Sequence, residues 1–275
     1  MRQVLIIAGK EWRDGMRNRW VLATTVLLAA LALTLAFLGA APTGTVRVGA
    51  LAVTIVSLSS LTIFLVPLIA LLLSYDAIVG EVDRGTMALL LAYPVARWQV
   101  MLGKFAGHLG ILSFATVTGY GIAGLALQWA GNADPGAWGA FVVMVASSVL
   151  LGGVFIAIGY LVSTLVRDHG TAGGIAIGVW LIFVLLYDMA LLGVLVADQG
   201  RAVTSKVLNV LLLLNPADAY RLLNLTSTTD VSGFAGVAGL GASTGLGPAA
   251  LLGALVAWTV VPLAVAIALF SRRQV

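Results

Sequence analysis

Six apolar runs, at about 20–41, 50–75, 105–130, 137–166, 171–197 and 248–270, occupy most of this 275-residue chain. Each reaches the roughly 20 residues a helix needs to cross a bilayer core of about 30 Å. Inside lipid only helices and closed barrels satisfy their own backbone hydrogen bonds. The runs lack the apolar/polar alternation of barrel strands. The expected fold is therefore an all-α polytopic membrane protein with six transmembrane helices, forming one domain over 1–275. A chain that is 61% hydrophobic and 9% charged, with a mean hydropathy of +1.08, is not a soluble domain.

Charge sets the expected orientation. An even number of spans puts both termini on one side, with Arg2, Lys10, Arg13, Arg17, Arg19, Arg84, Arg97, Lys104, Arg167, Arg272 and Arg273. The other side holds Arg47, Arg201, Lys206 and Arg221. Eleven against four places both termini in the cytoplasm by the positive-inside rule. The net charge of +4 follows this topology instead of forming one patch, so no nucleic-acid partner is expected. "FLGAAPTG" after the first run imitates a cleavage site. That run is longer than a usual signal core, however, and Glu11 and Asp14 precede it, so the segment is expected to stay. With no cysteine, disulfides and thiolate metal sites are unavailable.

Residues 1–19 read as an amphipathic helix with Val4, Ile7, Ala8, Glu11, Trp12 and Gly15 on one face. Such a basic helix is expected to lie along the inner membrane surface, in contact with lipid. The long outer loop, 198–247, has two parts. Residues 207–214 are too short to span and are expected at or just within the outer interface. Asn215 is the expected N-cap of a second helix with Pro216 in its first turn. A small-residue connector, "VSGFAGVAGLGASTGLG", follows. Pairs of small residues four apart (Gly103 and Gly107, Ala115 and Gly119, Gly174 and Gly178) permit close helix packing, in a bundle or a dimer.

Candidates for chemistry are few. "GASTG" matches the G-x-S-x-G nucleophile pattern around Ser243. The chain's two histidines, His108 and His169, are expected near the opposite face, a bilayer thickness of about 30 Å away. An intramembrane enzyme is thereby disfavoured. No phosphate-loop motif occurs, so any ATP, with its Mg, is used by a partner subunit. Asp188 is the one acid well inside a span and is a candidate for a transport path, or simply a hydrogen-bonded group. Asp76, His108 and His169 near the inner boundary are expected in packing or solvated roles. A standalone secondary transporter would normally show paired ionisable groups near the midplane or interrupted spans, whereas here one off-centre Asp188 stands nearly alone.

One insert concentrates charge. "GEVDRGTMALLLAYPVARWQVMLGK", 80–104, holds Glu81, Asp83, Arg84, Arg97 and Lys104 around a short apolar run. Thr86 is the expected N-cap and Pro94 the terminator of a helix about 10 Å long. An apolar peg with charged shoulders suits a groove on a protein partner, and a helix lying on lipid is the competing reading.

The segment "YDAIVGEVDRGTMALLLAYPVARWQVMLGKF" resembles the hallmark segment of six-helix ABC-exporter permeases. In that family an acidic residue, a Gly-Thr pair, a leucine run, a Pro and a Gly-Lys recur in this order, here Glu81, Gly85–Thr86, Leu89 to Leu91, Pro94 and Gly103–Lys104. The leader "GKEWRDGMRNRW" similarly resembles the family's membrane-surface helix. The resemblance implies a non-catalytic permease domain without a bound cofactor, and a cytoplasmic coupling segment that docks on an ATPase subunit through Glu81, Asp83, Arg84, Thr86, Leu89, Leu90 and Pro94. Together with "LLLLNPADAYRLLNL", it points to the permeases that serve copper-site maturation of nitrous-oxide reductase. That subgroup implies a homodimer in the bacterial inner membrane, two cytoplasmic ATPase subunits and a periplasmic copper-handling β-helix protein. Asn215, Pro216, Asp218, Tyr220 and Arg221 are the expected contacts to this periplasmic partner. A family member exporting a drug or lipid is the alternative. Cu(I) favours thiolate, thioether or imidazole ligands, and only Met144 and Met189 lie clearly within the expected spans. Mechanical transmission therefore ranks ahead of export of a sulfur species, and both rank ahead of copper passage.

Overall fold

The computed structural model describes residues 2–38, 50–131, 135–198, 204–226 and 246–273. The outer loop at 42–49, residues 132–134 of the next one, Arg47, Arg201 and the connector segment 227–245 with Ser243 lie outside them. The described residues are almost all helical, joined by short turns, with no strand. In chain order the helices are α1 (Arg2–Met16), α2 (Arg19–Leu38), α3 (Ala50–Ser74), α4 (Val79–Asp83), α5 (Thr86–Leu91), α6 (Arg97–Trp129) and α7 (Trp138–Leu165). Then come α8 (His169–Leu181), a π turn (Ile182–Leu186), α9 (Tyr187–Asp198), α10 (Ser205–Leu214), α11 (Pro216–Thr226) and α12 (Pro248–Arg272). Five helical columns are long and apolar enough to cross a bilayer. The α1–α2 pair, bent by 68°, raises the number to six.

Helices α6 and α7 are central. The first packs against α1, α2 and α7, and the second against α3, α11 and α12. One core joins Val66, Leu151, Phe155, Tyr220, Leu255 and Phe270. A second joins Leu28, Leu58, Tyr120, Phe141 and Met144 of α2, α3, α6 and α7. Both ends of the chain meet at one end of this bundle. Gln3 Nε2 donates to the Pro94 carbonyl at 2.8 Å, and Arg97 Nη1 donates to the carbonyls of Phe270 (2.9 Å) and Arg273. Helices α1, α4 and α5 lie at this end, called here the α5 end.

The leader helix uses the face expected of it, but against protein. A Cβ on Gly103 would stand 2.7 Å from Ile7 Cβ and 3.0 Å from the Val4 carbonyl. One on Gly107 would stand 2.5 Å from Glu11 Cβ and 3.1 Å from the Ala8 carbonyl. The two glycines thus let the α1 backbone rest on α6, and Trp12 meets Phe114 edge-on at 6.0 Å. Leu5 and Ile6, on the other side of α1, are exposed. Gly119 is approached by α2 in the same way, with Leu28 Cβ at 3.0 Å from its Cβ position. Gly174 and Gly178 face open space within the protomer.

One boundary differs from the sequence expectation. Helix α6 begins at Arg97, not near 105, because Gln99 Oε1 accepts the Ala96 N–H at 2.9 Å and starts the helix directly after Pro94. Gly103 and Lys104 are therefore helical. The segment 207–214 falls in α10, with Leu212 buried and Val207, Val210 and Leu214 exposed. Asn215, at the break between α10 and α11, donates its Nδ2 to the Phe183 carbonyl at 3.0 Å. Phe183 is in the π turn, about halfway along the 30-residue column His169–Asp198. The wider π turn displaces backbone carbonyls from their usual partners, and the Asn215 amide satisfies one. Tyr187 OH donates to the Leu211 carbonyl (2.6 Å) and Trp258 Nε1 to the Leu213 carbonyl (3.1 Å). The α10–α11 hairpin is thus tied to the α8–α9 column and to α12, with α11 buried and α10 partly exposed.

Candidate functional site

At the α5 end the chain turns sharply from α4 into α5. Gly85 takes φ 70°, a left-handed conformation that costs glycine little. It occupies the N-cap position expected for Thr86. Thr86 instead opens α5, and its Oγ1 donates to the Glu81 carbonyl at 3.2 Å. Helix α4 is fastened from below, where the Ile78 and Val79 N–H groups both donate to Ser163 Oγ at 3.0 Å. Met87 is fully buried and anchors α5, while Leu90 and Leu91 rest half-buried on the core. Leu89 and Tyr93 are 70% and 69% exposed. Beside them lies an open groove of about 440 Å³, walled by Lys10 of α1 and by Glu81, Arg84, Thr86 and Leu90.

Behind this surface is an ionic node. Lys104 of α6, 3% exposed, places Nζ 2.9 Å from Glu11 Oε1 and 2.7 Å from Glu81 Oε1. A buried ammonium requires paired charge, and two carboxylates from separate elements supply it. Glu11 also meets Lys10 at 3.4 Å, and its Oε2 lies 3.7 Å from His108 Nε2. His108 Nδ1 is 3.0 Å from Tyr160 OH of α7. A second cluster joins the start of the α4 turn to α8. Asp76 pairs with His169 Nδ1 (2.7 Å) and Arg84 Nη1 (3.4 Å), and Tyr75 OH reaches His169 Nε2 at 3.4 Å. Both histidines therefore have structural partners.

Burial pushes the Glu11 carboxyl upward, but the Lys104 ammonium, its hydrogen bond, His108 and Lys10 outweigh that, leaving it below the ordinary value. A depressed carboxylate stabilises the fold above the unfolded value of about 4.3 and loses this contribution as pH falls through the folded value. Acidification below about pH 4.3 should thus loosen α1 from α6. A single cysteine at Arg13, carrying an environment-sensitive fluorophore, should report that release, and Glu11→Gln should remove its pH dependence in this window. An identical acid transition in the variant would refute the assignment.

The expected coupling residues divide by environment. Leu89, Arg84, Thr86, Asp83 and Pro94 are exposed at the α5 end. Glu81 points inward to Lys104, and Leu90 packs on the core. Tyr93, exposed beside Leu89, and Lys104, the centre of the node, were not singled out in these roles. An aromatic between the leucine run and Pro94 was the available signal for Tyr93. For Lys104 the hallmark Gly-Lys pair was the signal, but its pairing with Glu11, 93 residues away, had none.

The residues expected to face a periplasmic partner need a correction. Asn215, Pro216, Asp218 and Tyr220 are buried within the protomer, and only Arg221 is partly exposed. Pro216 does open α11, and Asn215 Oδ1 accepts the Ala217 N–H at 3.0 Å, so the cap is as read. Tyr220 OH meets Ser148 Oγ at 3.0 Å. Arg221 bridges Asp218 (2.8 Å) and Asp188 (2.6 Å). The polar side chains that looked like a docking face instead pair with one another inside the bundle. Asp188 is held by this bridge.

Residues 5–275 match the family described as ABC-2 family transporter protein. The chain is 47% identical over 278 residues to the probable ABC transporter permease protein NosY of Stutzerimonas stutzeri, covering 99% of each. It is also 47% identical over 277 residues to the protein of the same description from Pseudomonas aeruginosa, covering 100% of each. The charged hallmark segment, the helical architecture and these full-length matches agree: the chain belongs to the ABC-2 family, as a polytopic membrane permease subunit of an ABC transporter.

Proposed function

We propose that this permease couples ATP hydrolysis by a cytoplasmic ATPase subunit to a periplasmic step in copper-site assembly of nitrous-oxide reductase. The observation that carries the coupling is the α5 surface. Leu89 and Tyr93 project from a helix anchored by Met87, beside a groove rimmed by Lys10, Glu81 and Arg84. An apolar projection with a charged rim suits a protein groove. The α5 end also carries both chain ends and most of the basic residues, which supports a cytoplasmic orientation. Likeness to permeases named NosY supports the copper-maturation setting.

The permease works as a homodimer in this reading. The window of the α8–α9 column is only 11% buried in the protomer, against 67% for α7. Gly174 and Gly178 leave room on it for a second helix. The far side acts on a copper-handling partner through the α10–α11 hairpin as a moving element, not through the buried side chains of α11. Transmission is mechanical. Met144 is buried in the core of α2, α3, α6 and α7, whereas Met189 is 69% exposed on α9, so they do not line one path. The Arg221 bridge makes Asp188 a brace for the hairpin.

A drug or lipid exporter is the second reading. A cavity of about 400 Å³ between α1, α2, α3 and α6, lined by Glu11, Asp14, Thr24, Ile69 and His108, has the size and mixed polarity for an amphiphile. Removing the gene and assaying nitrous-oxide reductase separates the two. Copper-depleted, inactive enzyme in otherwise normal cells supports the assembly role, and fully loaded enzyme refutes it. Purification from native membranes should recover two permease copies with an ATPase subunit.

A further inference from the structure

We propose that Lys104 is a positioning residue for coupling: it locks α1 and the α4–α5 segment to α6, so that the three move as one lever. The inference rests on the reading of α5 as the ATPase contact. Lys104 is where these elements meet through charge. Its Nζ lies 2.7 Å from Glu81, on the helix just before α5, and 2.9 Å from Glu11, in the middle of α1. All three side chains are shielded, at 3%, 17% and 12% exposure. Charge-assisted contacts this short are directional. Sliding α4 past α6 would strand a buried charge, which is strongly unfavourable. The apolar contacts of α1 with Gly103 and Gly107 hold the helices close but oppose sliding less, because dispersion is not directional.

The lever is long. Helix α6 continues from this node for the rest of its 33 residues. Further along, Tyr120 OH meets Thr62 Oγ1 of α3 at 2.7 Å, fully buried. A displacement applied at α5 therefore enters a helix tied to the core of the opposite end. His108, one turn beyond Lys104, extends the node to Tyr160 of α7.

The chain is free of cysteine, so single labelled pairs carry no background. Spin labels at Arg13 on α1 and Ala88 on α5, in labelled copies diluted with unlabelled ones, report the separation of the two elements in lipid nanodiscs. In the wild-type permease with its ATPase subunit, the separation should stay the same between the nucleotide-free state and the state trapped with ATP and vanadate. Lys104→Met leaves two carboxylates unpaired and can fail to fold, so the deciding variant is Glu11→Gln/Glu81→Gln/Lys104→Met, which neutralises the whole node. It should remain folded and, with the ATPase subunit supplied at saturating concentration because Glu81 also rims the docking groove, show a nucleotide-dependent separation. The permease alone decides the lock without any partner: the distance distribution should be narrow in wild type and at least about twofold wider in the neutral variant. Equal widths, or a nucleotide-dependent distance in wild type, would overturn the proposal. Loss of the α5 reading shows differently, as an ATPase subunit that stays bound when Leu89 and Tyr93 are replaced.

Discussion

Replacing Leu89 and Tyr93 together with Asp should release the ATPase subunit while the permease still inserts and folds. Both side chains are about 70% exposed, so neither is needed for the protomer's own core. Each has the character of an interface anchor, and anchors of this kind contribute about 2 kcal/mol or more apiece. Losing two amounts to roughly 4 kcal/mol, close to a thousandfold weaker association at 1.4 kcal/mol per tenfold. Burying two unpaired carboxylates in the groove would add to that. Leu90 is a poorer choice despite its place in the same run, because it packs on the core and Leu90→Asp would disturb the fold itself. Titration of the purified ATPase subunit onto nanodisc-embedded permease measures the effect. A binding constant within threefold of wild type would remove α5 as the contact.

The second large effect is expected at the hairpin. Arg221→Met should destabilise the permease by about 3–5 kcal/mol, the usual consequence of leaving a buried charge without its partner. Arg221 is the cation between Asp218, whose side chain is 3% exposed and also accepts from Asn215 Nδ2 at 3.0 Å, and Asp188 on α9. Without it the two carboxylates face each other in a low-dielectric setting. Adding Asp218→Asn and Asp188→Asn to Arg221→Met should recover most of the loss, since the remaining groups are neutral and the volume is nearly kept. Reversible unfolding in mixed SDS and detergent micelles reads both variants. A permease carrying Arg221→Met that unfolds with wild-type energetics would show that the bridge braces nothing.

Local chemistry made much of this protein legible. Long apolar runs specify spans because an unpaired peptide group in lipid costs several kcal/mol. That requirement acts on each run by itself, so α3, α7 and α12 stand within a few residues of their expected limits. Pro216 starts α11 and Pro94 lies just beyond α5 for equally local reasons, a fixed φ and a missing N–H. The apolar face of the leader was visible in its spacing, and so was the pair Gly103 and Gly107. Of the seven residues named in the expected coupling segment, Asp83, Arg84, Thr86, Leu89 and Pro94 are exposed at the α5 end, whereas Glu81 turns inward and Leu90 packs on the core.

What the chain could not announce was which surfaces meet. A helix shows its apolar face but not its partner, and the face of α1 reads the same whether lipid or α6 covers it. A charge in an insert reads as exposed until another element arrives to pair it. Lys104 is buried only because Glu11, 93 residues away, and Glu81 both reach it. Leu90 packs on the core and Tyr93 is exposed instead, because Met87 sets the rotation of α5 against the core. Asp218, Tyr220 and Arg221 look like surface polar residues in an outer loop, and only the insertion of α10–α11 beside the π turn turns them into interior partners. The sequence by itself determined the helices and the membrane they need, through hydropathy and backbone hydrogen bonding, which are properties of contiguous residues. Tertiary structure alone decided which charges are paired and which hydrophobic side chains remain free to bind, because both depend on long-range contacts that no local pattern encodes.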